Sequence, residues 1–299
     1  MFEPMTRTLI VMLAAAVTTA AAPNVVAKIR VGPNAAPCAA AAGGKWVWVS
    51  EYGQPYLLKI DPKTNKVVSK TGIGTGSCGL GYGAGSMWIE DTNTSTVSRV
   101  SVTTGKRTKA IKVGITPYDT MFAYGSAWTT AFTQGELERI DPAQNKVVNR
   151  WKLRMATGAI GAFGSVWATG SDGLIRVDPV SHKLLAKIPI QGGAGWTAAS
   201  ADAVWVTTTT GLTRIDPQSN TVVTTVELPG APALGDPDVV NGQVWVPQIR
   251  KNSIALVDPA SNTVAKTIKA GIGPFVITTI RGEAWVPSWK GRDIWRYKP

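Results

Sequence analysis

The chain has 299 residues, 44% hydrophobic and 17% charged, with 31 Lys and Arg against 19 Asp and Glu for a formal charge of +12. That composition excludes a disordered chain, a coiled coil and a collagen-like repeat, and the length allows one large domain or two ordinary ones. Twelve tryptophans, 31 glycines and 19 prolines among many β-favouring residues point to many short strands rather than long helices.

In chain order the first segment reads as a leader. Met1 to Arg7 carries one basic residue, Leu9 to Val17 is almost wholly apolar, and Thr18 to Ala22 are small. This is the three-part layout of a secretory signal peptide over residues 1–22, with cleavage after Ala20 or Ala22. The apolar run is too short to span a bilayer, and no later stretch is long enough for a transmembrane segment. The mature chain, residues 23–299, is therefore expected to be a soluble, monomeric, periplasmic or secreted domain. Cys38 and Cys78 are candidates for a disulfide in that oxidising compartment, with two reduced buried thiols as the alternative. Two cysteines exclude a four-thiolate metal site.

From residue 48 onward the sequence repeats. Trp48, Trp88, Trp128, Trp167, Trp205, Trp245 and Trp285 are spaced by 38 to 40 residues, most within a local pattern such as Gly85-Ser86-Met87-Trp88 or Gly164-Ser165-Val166-Trp167. Eleven to thirteen residues later comes Asp-Pro, at Asp61, Asp141, Asp178, Asp216 and Asp258, with Ser101 and Lys298 in that place in the second and seventh repeats. A turn and a β-branched run follow, as in Asn145-Lys146-Val147-Val148. Each unit predicts four short strands, with no helical period, and a unit of that size is one propeller blade. The seventh repeat stops after three strands, while Val25-Val26-Ala27-Lys28-Ile29 matches Thr263-Val264-Ala265-Lys266-Thr267. The expected fold is all-β: a seven-bladed propeller of four-stranded blades, the last closed by the N-terminal strand, which removes exposed strand edges.

The pattern Trp-Val … Arg-Ile-Asp-Pro-x-x-Asn-x-Val-Val resembles the repeats of YVTN/YncE-type exported propellers and of virginiamycin B lyase-like proteins, over essentially all of the mature chain. The resemblance implies the scaffold. For activity it implies a histidine and a nearby glutamate in the channel, but the lone histidine, His182, stands in the Asn slot of a turn, so the lyase chemistry is not carried over.

A residue present in every repeat serves the blade, and a single site is to be sought where the repeat is broken. On that test the periodic tryptophans pack between blades, and Asp-Pro with Asn is turn chemistry. A basic residue two before the Asp position, at Lys59, Arg99, Arg139, Arg176, Arg214 and Arg296 but not at Leu256, is either an anion-collecting ring or a set of stems packed between blades. The departures fall in the loops of one face. Tyr52, Tyr118, Phe132, Trp196, Phe275 and Trp289 are expected to line a shallow ligand pocket at the channel mouth, with Glu51, Glu90, Asp91 and Asp119 on one side and Arg250, Lys251, Lys290 and Arg292 on the other. Asp119, Asp236 and Asp238 are weak candidates for a calcium or magnesium site; no other cofactor is expected.

Three readings follow. The first is a non-catalytic propeller that binds a small molecule or an envelope macromolecule on this face. The second is a metal-dependent hydrolase, a lactonase, or a divergent lyase. The third is a binder of single-stranded nucleic acid or another anionic polymer, suggested by the charge and the aromatics.

Overall fold

The computed structural model describes residues 23–228 and 233–299; the expected signal peptide lies outside the described residues. The described chain forms seven four-stranded antiparallel sheets. Six of them run in chain order, from β2 (Pro37–Gly43), β3 (Trp46–Glu51), β4 (Tyr56–Asp61) and β5 (Lys66–Gly72) onward. In the seventh, β1 (Asn24–Arg30) pairs with the last strand, β28 (Asp293–Lys298), which continues into β27 (Glu283–Ser288) and β26 (Thr278–Ile280). Each innermost strand touches the next, and β26 touches β2, so the blades form a ring about one axis.

A register irregularity recurs between the third and fourth strands of every blade. In the third blade Arg139 pairs with Asn149 and Ile140 with Val147, leaving Val148 bulged out. In the seventh, Val25 pairs with Tyr297 and Ala27 with Arg296, so Val26 is the bulge. That places β1 one residue away from the alignment read from sequence: Ile29 is the counterpart of Ile268, not of Thr267. The Val-Val-Ala spelling is ambiguous by one position, and burial decides it, because Ile29 is 3% exposed and packs with Ile60 and Ile294.

Most of the core lies between blades, with one small cluster, Cys38, Ala39, Cys78 and Val276, at the inner strands. Seven apolar clusters each straddle one blade junction, and each holds one periodic tryptophan. All seven indoles are essentially sealed from solvent. Four of them donate from Nε1 to the carbonyl five residues upstream, at 3.0 to 3.2 Å, which satisfies the one polar atom of a buried wedge.

The basic residues complete the junction. Arg99, Arg176, Arg214 and Arg296 lie over the tryptophan ring of their own blade, at 4.5 to 5.5 Å. Each also donates to the Asp-Pro-x-x-Asn turn of the following blade: Arg176 Nη1 to the Pro217 carbonyl at 2.6 Å and to Asn220 Oδ1 at 2.9 Å, Arg214 to Pro259 and Asn262, Arg99 to Pro142 and Asn145, and Arg296 to Pro62 and Asn65. The bulge beside each basic residue is the kind of irregularity that re-aims a side chain. The two departures from this pattern follow from what stands opposite. Lys59 faces the second blade, whose turn at Ser101–Gly105 lacks Asp-Pro and Asn, and Leu256 faces the seventh, whose outer strand is β1, so no such turn joins its third and fourth strands. Leu256 instead packs with Trp245 and Tyr297. The cation ring is therefore a set of clamps between blades, not an anion collector.

His182 belongs to this system. It adopts φ +60°, like Asn65, Asn145, Asn220 and Asn262 in the same slot, and its Nε2 meets Arg139 Nη1 at 2.8 Å. The lone histidine is thus the third clamp's acceptor.

The remaining cations lie mainly on the exposed outer strands. Every outer strand but that of the fifth blade, Thr221–Glu227, carries Lys or Arg, for example Arg107, Lys109 and Lys112 on β9 (Arg107–Lys112). Charges on an unpaired edge oppose edge-to-edge pairing with other chains.

Arg176→Ala is expected to cost about 1–3 kcal/mol in urea unfolding, since it leaves a turn carbonyl and an Asn side chain without their charged donor. His182→Asn should change stability by no more than about 0.5 kcal/mol, because it restores the residue used in the other clamps.

Candidate functional site

The first strand of each blade lies innermost, and the residue nine before the tryptophan stands in that strand or just before it. Through the seven blades this column reads Ala39, Gly79, Asp119, Gly158, Trp196, Asp236 and Val276. Small residues leave room, and Asp119, Trp196 and Asp236 fill it.

At the mouth, all six expected aromatics meet. Phe132 packs on Tyr118 at 5.4 Å between ring centroids, Tyr118 stacks on Trp196 at 5.5 Å, and Trp196 meets Phe275 edge-on at 5.2 Å. Phe275 contacts Trp289 at 5.9 Å, and Trp289 stacks on Tyr52 at 5.5 Å. One unbroken arc thus joins four blades, with Trp196 at its middle and 8% exposed. Five of these rings, with Thr92, Gly76 and the cysteines, enclose a cavity of about 80 Å³. A larger hollow of about 290 Å³ lies behind Trp196 and Phe132, lined by Thr157, Thr207 and Gly192–Gly195.

Cys38 and Cys78 form a disulfide with Cα atoms 5.1 Å apart, joining the inner strands of the first two blades at the cavity wall. Their equivalent positions on neighbouring blades, near the axis, bring them within bonding reach.

The acids are not where loop chemistry would put them. Glu51 and Glu90 sit on second strands, each 1% exposed, and Asp91 is 3% exposed, so these three give the face little surface charge, while Asp119 is half-buried. Arg250 and Lys251 stand exposed on a short turn at Ile249–Lys251, outside the aromatic cavity, as do exposed Lys290 and Arg292.

Glu90 breaks a second repeated pattern, at the position two after the tryptophan. In the first, third, fourth and fifth blades a hydroxyl stands there, and in the sixth and seventh a proline. Ser50 Oγ accepts from the Ala39 amide at 3.0 Å and donates to the Cys78 carbonyl of the next blade at 2.6 Å. Thr130 does the same between the Asp119 amide and the Thr157 carbonyl, and Thr169 between Gly158 and Gly195. Glu90 takes the amide side of this bridge: its Oε1 accepts from Cys78 at 2.6 Å and from Gly79. Its Oε2 is buried with no hydrogen-bond partner among the described residues. The neighbouring Asp119 accepts from the Ala159 amide at 2.9 Å through Oδ2. Its Oδ1 lies 2.6 Å from where a Cβ on Gly79 would stand, so glycine at 79 is what lets the two carboxyls approach.

Burial governs the ionisation of this cluster. Loss of water raises Glu90 to about 8, helped by the charge of Asp119. It raises Asp119 to about 6 even though amides of Ala159 and Thr120 favour its charged form. Asp236 is pushed well above the ordinary carboxylate range by burial and by Asp119 and Asp238, and Asp238, which accepts from Thr279 at 2.6 Å, also rises by burial. Glu51 is raised to about 7 at a separate place, where it accepts from Ala36 at 2.7 Å. Among the described residues no three His, Cys, Asp or Glu side chains converge closely enough to hold a metal ion.

Comparison with known proteins supports the architecture. A repeat of unknown function (DUF6923) matches residues 60–199. No curated protein matches the sequence. A streptogramin B lyase structure is similar in fold with a TM-score of 0.79 at 14% identity, covering 91% of this chain and 96% of that one. Virginiamycin B lyase from Staphylococcus aureus gives 0.78 at 15% identity, covering 91% and 98%. Hydrazine synthase of Kuenenia stuttgartiensis gives 0.72 at 12% identity, covering 86% and 93%. At these identities the likeness is one of fold, and the chain is a propeller of the kind seen in virginiamycin B lyase.

Two outcomes are expected. Carboxyls raised in the folded state hold protons that the unfolded chain has already released. Stability to urea should therefore fall as pH climbs from about 4.5, the ordinary Glu value, towards the Glu90 value of about 8, then level off. Glu90→Gln should flatten this decline, and unfolding midpoints at pH 5, 7 and 9 would show it. Reducing the disulfide, which closes a 40-residue separation, should lower stability by up to about 4 kcal/mol on chain-entropy grounds, read by thermal melts with and without reductant.

Proposed function

We propose that this protein is an exported, non-catalytic propeller that binds a small molecule bearing a planar ring at the mouth of its channel. The observation that carries the reading is the arc of six aromatic side chains, drawn from four blades and placed only where the repeat is broken. Rings offered face-on and edge-on over a small cavity suit a flat partner, and pockets of this kind combine apolar walls with few polar groups. Function outside the cytoplasm fits the leader-like first 22 residues and a disulfide at the site wall.

Calorimetric titration with indole and with phenethyl alcohol tests this reading. Both should bind, and Trp196→Ala should weaken them by about tenfold or more, since Trp196 is the ring to which both halves of the arc connect. No heat of binding with either probe would refute it. Circular dichroism melts of the variant separate loss of the site from loss of the fold.

One observation favours a second reading, a divergent lyase. Glu90 and Asp119 are adjacent carboxyls pushed to about 8 and about 6, the separation expected of an acid and a base working near neutrality. The lyase-type neighbours make streptogramin-type cyclic depsipeptides the substrates to offer. Ring opening seen by mass spectrometry, and lost in Asp119→Asn, would replace binding by catalysis as the function.

A further inference from the structure

We infer that the channel mouth recognises an organic ammonium group, with Tyr118, Trp196, Phe275 and Trp289 as the cage and the carboxyls of Glu90, Asp119 and Asp236 behind it as the counter-charge. The inference rests on the ring-ligand reading and says what that ring must carry.

The cavity between the rings measures about 80 Å³, a few water volumes, which admits an ammonium head and a methylene but not a second ring. Its walls are tied directly to the acids. The Cys78 amide, at the cavity wall, donates to Glu90; Tyr118 leads into Asp119; and the Asp236 amide donates to the Phe275 carbonyl at 2.7 Å.

Glu90 supplies the independent sign of a missing partner. It is 1% exposed, and its Oε2 has no partner at hydrogen-bond distance among the described residues, the Thr120 hydroxyl being the one side-chain donor near the carboxyl, whereas Ser50, Thr130 and Thr169 in the same register have their hydrogen bonds complete. A buried acceptor without a donor is costly. The groups that shift Glu90, Asp119 and Asp236 are burial, one another, backbone amides, a hydroxyl and Asp238; no Lys or Arg is among them. The cluster is therefore a set of carboxyls with no cation against them, and a bound ammonium would draw them from the protonated into the charged form. A primary ammonium brings three N–H donors and one positive charge, and aromatic faces attract such a cation.

The test uses the oxidised protein and two probes of matched shape, phenethylamine and the neutral phenethyl alcohol, in parallel calorimetric titrations. The amine is expected to bind at least about tenfold more tightly than the alcohol, from cation–aromatic and charge-assisted contacts together. Glu90→Gln and Asp119→Asn should each bring the two affinities within about twofold, and the wild-type comparison stands if either variant fails to fold. Equal binding of amine and alcohol would overturn the ammonium inference and leave the ring reading intact. Binding of neither would overturn both. Calcium or magnesium ions that bind alone and displace the amine would also overturn it, assigning the acids to a metal.

Discussion

The structure depends on the contact between neighbouring blades. A blade is a twisted four-stranded sheet with two apolar faces, and it can bury them only against other blades. The tryptophan of one blade fills the gap, the arginine lies over its ring, and the guanidinium reaches the turn of the next blade. Apolar contact and charge-assisted hydrogen bonds thus act at one place, repeated around the ring. Where the acceptor turn is missing the arginine is missing too, at Lys59 and at Leu256, which shows that donor and acceptor are one unit split between two blades.

This arrangement leaves the axis a lighter structural duty, carried by hydroxyl bridges between inner strands and one disulfide. The inner strands need only small residues or residues that fit, and the column nine before the tryptophan is glycine or alanine in three blades. Into that space the chain places a tryptophan and two aspartates, the latter groups that weaken a fold when buried without partners. Seven apolar junctions supply the stability that lets a few carboxyls stay buried or half-buried with raised ionisation. The disulfide adds a covalent tie where the first two blades meet the cavity.

The scaffold was legible in the sequence because it repeats. Spacing alone identified the blades, the tryptophan wedge and the turn role of His182, and the left-handed φ of that residue shows why histidine can stand for asparagine. The register of β1 was not fixed by spelling: Val25-Val26-Ala27 fits the other outer strands in two ways, and the burial of Ile29 selects one. Breaks in the repeat located the aromatics, but adjacency across four blades is a property of the ring, not of the chain. The acids were misplaced for a related reason. Counting from the loops put Glu51 and Glu90 on the surface, whereas counting from the tryptophan puts Glu90 in register with Ser50, Thr130 and Thr169, whose hydroxyls bridge inner strands.

That register argument bears on the net charge as well. Most of the positive charge is accounted for by the clamps and by the guarded outer edges, and neither position faces the channel. The negative charge is divided differently. Turn aspartates such as Asp141 and Asp216 accept backbone amides and are held below the usual carboxylate range, while buried Glu90 and half-buried Asp119 and Asp236 are held above it. A protein with an excess of cations therefore keeps a group of carboxyls at its axis with none of those cations against them. This group of carboxyls coincides with the aromatic arc. Two independent breaks in the repeat thus converge on one end of the axis, which is the physical argument for placing the site there.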